Sequence, residues 1–125
     1  MGRATAVGGL DEIHMSVRDL GKMRRFYINV LGFDEAFHHE DRMVGLNTGD
    51  AMLVLVASRR KSSGVALGFS CKDIERVLKT LAQKGVKITA PLEEGHWGAK
   101  LARFKDPEGN TIYLEEPVPT KSHQH

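Results

Sequence analysis

Cys71 is the only cysteine in the chain, so no internal disulfide can form. That usage fits a reducing cytosol. Long apolar runs are missing too. No stretch approaches the roughly 20 residues that a membrane-crossing helix needs, and the N-terminal residues have no extended apolar core of the signal-peptide kind. A cytoplasmic location and no membrane partner are expected. Charge of one sign is also scarce: the net charge is +2. Lys and Arg come in short groups, Arg24-Arg25 and Arg59-Arg60-Lys61, with acids interleaved elsewhere. Solvated surface and a loop account for them, and no nucleic-acid partner is expected.

What is present is an ordinary globular composition, 41% hydrophobic and 27% charged over 125 residues, enough for one domain with a real core. Asp11 to Val17 alternates: Ile13, Met15 and Val17 point one way and Glu12, His14 and Ser16 the other, as in a half-buried strand. Asp19 follows in a helix N-cap position. Leu20, Met23, Phe26, Tyr27, Val30 and Leu31 then recur at helical spacing, and Gly32 is a natural stop. Strands are expected over Phe33–Phe37, Arg42–Asn47 and Ala51–Ala57, and the polar, basic stretch from Ser58 to Gly64 reads as a linker.

The pattern then returns. Ala66 to Cys71 alternates, with Leu67, Phe69 and Cys71 on one face and Ala66, Gly68 and Ser70 on the other. Asp73 takes the cap position, Ile74, Val77, Leu78 and Leu81 form the stripe, and Gly85 is the stop. Glu12 to Asp19 spans seven residues, as does Ala66 to Asp73; Asp19 to Gly32 spans thirteen and Asp73 to Gly85 twelve. Strands are expected at Val86–Ala90 and Lys100–Phe104. Asp106-Pro107-Glu108-Gly109-Asn110 then makes a tight turn into the strand Thr111–Glu115. The chain therefore reads as two β-α-β-β-β modules in tandem. The first covers about 10–57, a linker 58–64, the second about 65–117 and a polar tail 118–125, all within one domain over 1–125.

Val17-Arg18-Asp19-Leu20, Phe26-Tyr27, Val30-Leu31-Gly32-Phe33, Cys71-Lys72-Asp73-Ile74, Lys84-Gly85-Val86, Trp97-Gly98 and Asp106 to Asn110, in that order, resemble the vicinal oxygen chelate superfamily. That superfamily includes glyoxalase I, fosfomycin-resistance transferases, extradiol dioxygenases and bleomycin-resistance binding proteins. The resemblance covers about residues 10 to 117. It implies an α+β fold in which the two tandem βαβββ modules form a half-open barrel around a cavity, in many small members completed across a homodimer.

The resemblance also implies a divalent metal held by His and Glu on cavity-facing strands. Carried over by strand register, its four ligand positions fall at Glu12, Val54, Ala66 and Tyr113. Only Glu12 offers a donor suited to a hard ion, since Val54 and Ala66 have none and a neutral phenol is a poor ligand. No metal and no cofactor are therefore expected. An unconventional set of Glu12, His14 and His38 or His39 is the one alternative.

Strand parity fills the cavity instead with Glu12, His14, Ser16, Thr111, Tyr113 and Glu115 as polar groups and Met52, Val54, Val56, Ala66 and Gly68 as apolar or small walls. A mixed pocket of this kind suits an organic small molecule. Candidate ligand-binding residues are Glu12, His14, Ser16, Val54, Ala66, Trp97 and Tyr113, with Trp97 in a loop near the cavity mouth and Phe37-His38-His39 as an opposing rim. A metal-free binding protein of the bleomycin-resistance kind, sequestering a drug or metabolite, is the first expectation. The alternative is a glyoxalase-, lyase- or dioxygenase-related enzyme with a rebuilt site, using His14 and Glu12 as acid and base.

Overall fold

A computed structural model describes residues 6–61, 65–94 and 99–117, with backbone alone for 90–94. The chain divides into two compact units, Met1–Ser62 and Ser63–His125. Each repeats one plan.

In the first unit, β1 (Glu12–Val17) leads to α1 (Leu20–Arg25), a π turn (Phe26–Val30), β2 (Asp34–His39), β3 (Met43–Asn47) and β4 (Met52–Ala57). The sheet order is β1-β4-β3-β2. β1 runs parallel to β4, and the other pairs are antiparallel. The Asp19 carboxylate accepts from the Lys22 amide at 3.0 Å, which satisfies one of the orphan donors that start a helix. The expected stripe runs on past α1, but the helix widens at its end: the Leu31 amide donates to the Phe26 carbonyl at 3.1 Å. This wider turn starts with Phe26 and Tyr27, both buried, their rings edge to face at 5.3 Å. Gly32 closes it at φ +86°, where a side chain is strained. α1 packs on β3 and β4, and Met15, Val17, Val44, Leu46, Leu53 and Leu55 are all buried in this unit.

In the second unit, β5 (Ala66–Ser70) is followed by α2 (Ile74–Gln83), β6 (Ile88–Glu94), β7 (Lys100–Lys105) and β8 (Thr111–Glu116), with sheet order β5-β8-β7-β6. Leu67, Ile74, Leu81, Ala102, Phe104, Ile112 and Leu114 form its core. Two details differ from expectation. Asp73 stands in the cap position but adopts a left-handed backbone, φ 55° and ψ 57°, and its side chain caps nothing. The Ile74 amide is met instead by a Glu116 carboxylate oxygen at 2.9 Å. β6 also starts later than Val86 and runs through Pro91 to Glu94. It lies at the end of its sheet, where a residue lacking an N–H is tolerated, and its register slips on both sides of Ala90.

The turn before β8 is held by its own side chains. One Asp106 carboxylate oxygen accepts from the amides of Glu108 and Asn110, each at 2.9 Å. The other accepts from the Asn110 side-chain amide at 2.8 Å. Both residues are buried, and Gly109 supplies φ +86°. No helix among the described residues is long and apolar enough to cross a membrane.

Candidate functional site

Each sheet turns one face to its own core and one away from it, and the second face holds the candidate residues. In the first unit, register sets Glu12 beside Met52, His14 beside Val54 and Ser16 beside Val56. Glu12, His14 and Ser16 therefore share a strand face, as expected. Two of these groups touch: His14 Nε2 and Glu12 Oε1 are 2.8 Å apart, both well exposed.

Val54 differs from its expected role as an open wall, for it is 1% exposed. Its row explains the burial. His14 flanks Val54 on β1, Gly45 flanks it on β3, and Phe37 pairs with Gly45 from β2. The Phe37 ring lies over Gly45 so closely that a Cβ there would collide with it. Phe37 thus roofs this part of the sheet rather than standing at a rim. His38 and His39 lie on β2, three strands from β1, a span of about 14 Å at ordinary strand spacing. The unconventional set with Glu12 and His14 is not brought together. His38 stands 4.0 Å from Glu35 instead, and Glu35 also takes the Arg24 guanidinium at 2.6 Å.

In the second unit the same register sets Ala66 beside Thr111, Gly68 beside Tyr113 and Ser70 beside Glu115. On the far side of β8, Arg103 flanks Tyr113 and Leu101 flanks Glu115. A pocket of about 300 Å³ opens here, lined by Gly68, Phe69, Ser70, Leu101, Tyr113 and Glu115. Ala66, expected to leave this space, is exposed at the start of β5 and does not line it; Gly68 does. The Arg103 guanidinium lies over the Tyr113 ring, 5.9 Å from its centroid. Neither Leu101 nor Arg103 was named from the sequence. The alternation of β7, with Ala102 buried between them and Phe104 buried after them, is the signal that places both on the pocket face. Trp97 lies outside the described residues.

The divalent metal that the resemblance implies does not fit these residues. Glu12 is hydrogen-bonded to His14, Val54 is buried hydrocarbon, Ala66 is a methyl group and Tyr113 is a phenol packed under Arg103. Divalent sites need several strong donors. Among the described residues, no three His, Cys, Asp or Glu side chains stand together as a ligand set. Cys71, just past β5, offers no ready nucleophile: burial first, then the Glu116 and Asp73 carboxylates, raise its thiol above the ordinary range.

Known proteins resemble this chain in sequence and in fold. A family model described as Glyoxalase/Bleomycin resistance protein/Dioxygenase superfamily matches residues 9–114. The uncharacterized protein YraH of Bacillus subtilis (strain 168) is 27% identical over 120 residues, covering 82% of this chain and 94% of its own. TnmS3, an antibiotic binding protein from Streptomyces sp. CB03234, superposes with a TM-score of 0.80 at 24% identity, covering 91% of this chain and 99% of its own. A lactoylglutathione lyase from Agrobacterium tumefaciens superposes at 0.75 with 17% identity, covering 90% and 96%. The last two likenesses are of fold.

Proposed function

We propose that this chain, which belongs to the Glyoxalase/Bleomycin resistance protein/Dioxygenase superfamily, binds an organic small molecule without a metal and releases it unchanged, as a drug- or metabolite-sequestering protein does. The observation that carries this reading is at Tyr113. Where the resemblance calls for an acidic metal ligand, this chain has an aromatic ring beside a pocket of about 300 Å³. Such a volume is at the small end of ligand pockets. Ring, glycine floor and leucine wall favour an apolar body, and the neighbouring Ser70 and Glu115 supply polar anchors. The fold shared with an antibiotic binding protein agrees with it.

The test is a thermal-shift screen of aromatic antibiotics and metabolites on the full chain and on Gly68→Leu. Ligands at a hundred times their Kd should stabilise the natural chain by about 2.7 kcal/mol and leave the variant unshifted. Ligands that stabilise both equally would place binding elsewhere.

A second reading has one observation in its favour, the 2.8 Å contact of His14 with Glu12. A carboxylate that orients an imidazole is a common acid–base pair. The shared fold with a lactoylglutathione lyase is compatible with such an enzyme. Conversion of a bound molecule that stops in both Glu12→Gln and His14→Gln would favour this reading over sequestration.

A further inference from the structure

Among the described residues Glu115 is the one carboxylate lining the pocket of the second unit, and the ladder gives it no cation as a neighbour. Its partners are Ser70 on β5 and Leu101 on β7. Among the described residues, the basic groups that share this face of β7 are turned to other work. Arg103 covers the Tyr113 ring and does not line the pocket, and Lys105 Nζ donates to the Thr111 hydroxyl at 2.9 Å. The adjacent acid, Glu116, caps α2 on the opposite face.

From this placement we propose that the pocket takes a small organic cation, a protonated amine on an apolar ring body. Glu115 is its counter-charge, and Tyr113, Leu101 and Gly68 form the surface for the body. The inference rests on the reading that the chain binds an organic molecule and adds the charge of that molecule. An amine entering this pocket exchanges water for a carboxylate at hydrogen-bonding range, and charged pairs of this kind are the stronger hydrogen bonds. A neutral molecule of the same shape leaves the carboxylate partly dehydrated and unmatched, which is how such sites discriminate. Gly68 leaves the body room, since a Cβ built there meets nothing nearer than the Tyr113 Cβ at 4.0 Å.

Three probes with one ring system and three charges test this: tryptamine, tryptophol and indole-3-acetate, titrated into the isotope-labelled full chain while the Gly68 and Tyr113 amide signals are followed. Tryptamine should bind at least tenfold tighter than tryptophol, and indole-3-acetate weakest. Glu115→Gln should lower tryptamine affinity to that of tryptophol and leave tryptophol unchanged. Equal binding of all three, or an unchanged tryptamine affinity in Glu115→Gln, overturns the charge inference while an organic-molecule pocket stands. A preference for the acetate that disappears in Arg103→Gln overturns it too and moves the anchor to Arg103. Silence of both amides toward all three probes overturns the inference and the pocket together.

Discussion

Val54 and Tyr113 hold equivalent places in the two units, and a glycine on opposite sides decides what surrounds each. In the first unit the glycine is Gly45 on β3, and Phe37 lies down over it from β2. In the second it is Gly68 on β5, and the space stays open. Gly68→Leu should therefore abolish ligand binding while the thermal midpoint holds or rises slightly, because glycine weakens a strand interior. Gly45→Ala should lose about 1 kcal/mol of stability through overpacking. The loss stays small because the ring it meets is half exposed and can swing outward. In a Phe37→Ala background the same substitution should cost nothing, which a double-mutant cycle on urea unfolding would show. Cys71 gives a pH-dependent expectation. Its thiol titrates higher in the folded chain than in the unfolded one. The associated stability is complete below the unfolded thiol pKa, about 8.5, and is lost as pH rises through the folded value. Natural protein should lose stability relative to Cys71→Ser as pH rises above that point, while the difference between the two stays constant below it. A gap that is constant with pH would show the thiol is not the cause.

At the scale of elements, the two helices look alike in sequence and start differently. Both follow an aspartate seven residues beyond the equivalent start of a strand. Asp19 caps α1 through its side chain, whereas Asp73 turns left-handed and leaves the work to Glu116, 42 residues beyond the Ile74 amide that it meets. Asp19→Ala should cost about 1 kcal/mol. Asp73→Gly should cost nothing and can stabilise, since glycine takes that backbone without strain. Glu116→Ala should behave like loss of a cap, about 0.5–2 kcal/mol. Chemical denaturation of the three variants ranks them directly. Element type and order were legible because alternation, stripe and stop are local signals: every expected strand and both helices are present. Asp73 was misread because an N-cap is inferred from position, while its use depends on a strand that arrives much later in the chain. The strand expected at Val86–Ala90 runs on to Glu94, and only the sheet order shows that β6 ends its sheet, where Pro91 does no harm. Parity located Gly68, Tyr113 and Glu115 correctly on one face. It could not reveal that Ala66 falls outside the pocket or that Val54 is covered, since both depend on what neighbouring strands place beside them.

At the scale of the molecule, β1 ends its four-stranded sheet, and the residues at and before it are apolar and exposed: Val7, Leu10 and Ile13. Edges of this kind invite pairing unless covered. We expect a homodimer, so light scattering at micromolar concentration should give twice the 13.9 kDa of one chain. A single-chain mass would mean that this edge needs no second copy. Ile13→Lys, placing a charge on that edge, should shift a dimer toward monomer.

On the proposed function, this member of the Glyoxalase/Bleomycin resistance protein/Dioxygenase superfamily holds an organic molecule without a metal and gives it back intact. Native mass spectrometry of tag-free protein mixed with a screened ligand in excess chelator tests it in one spectrum. The predicted result is a complex weighing chain plus unmodified ligand with no metal, lost in Gly68→Leu. A complex that forms only when a divalent ion is restored, or a bound species of altered mass that disappears in Glu12→Gln, would contradict it.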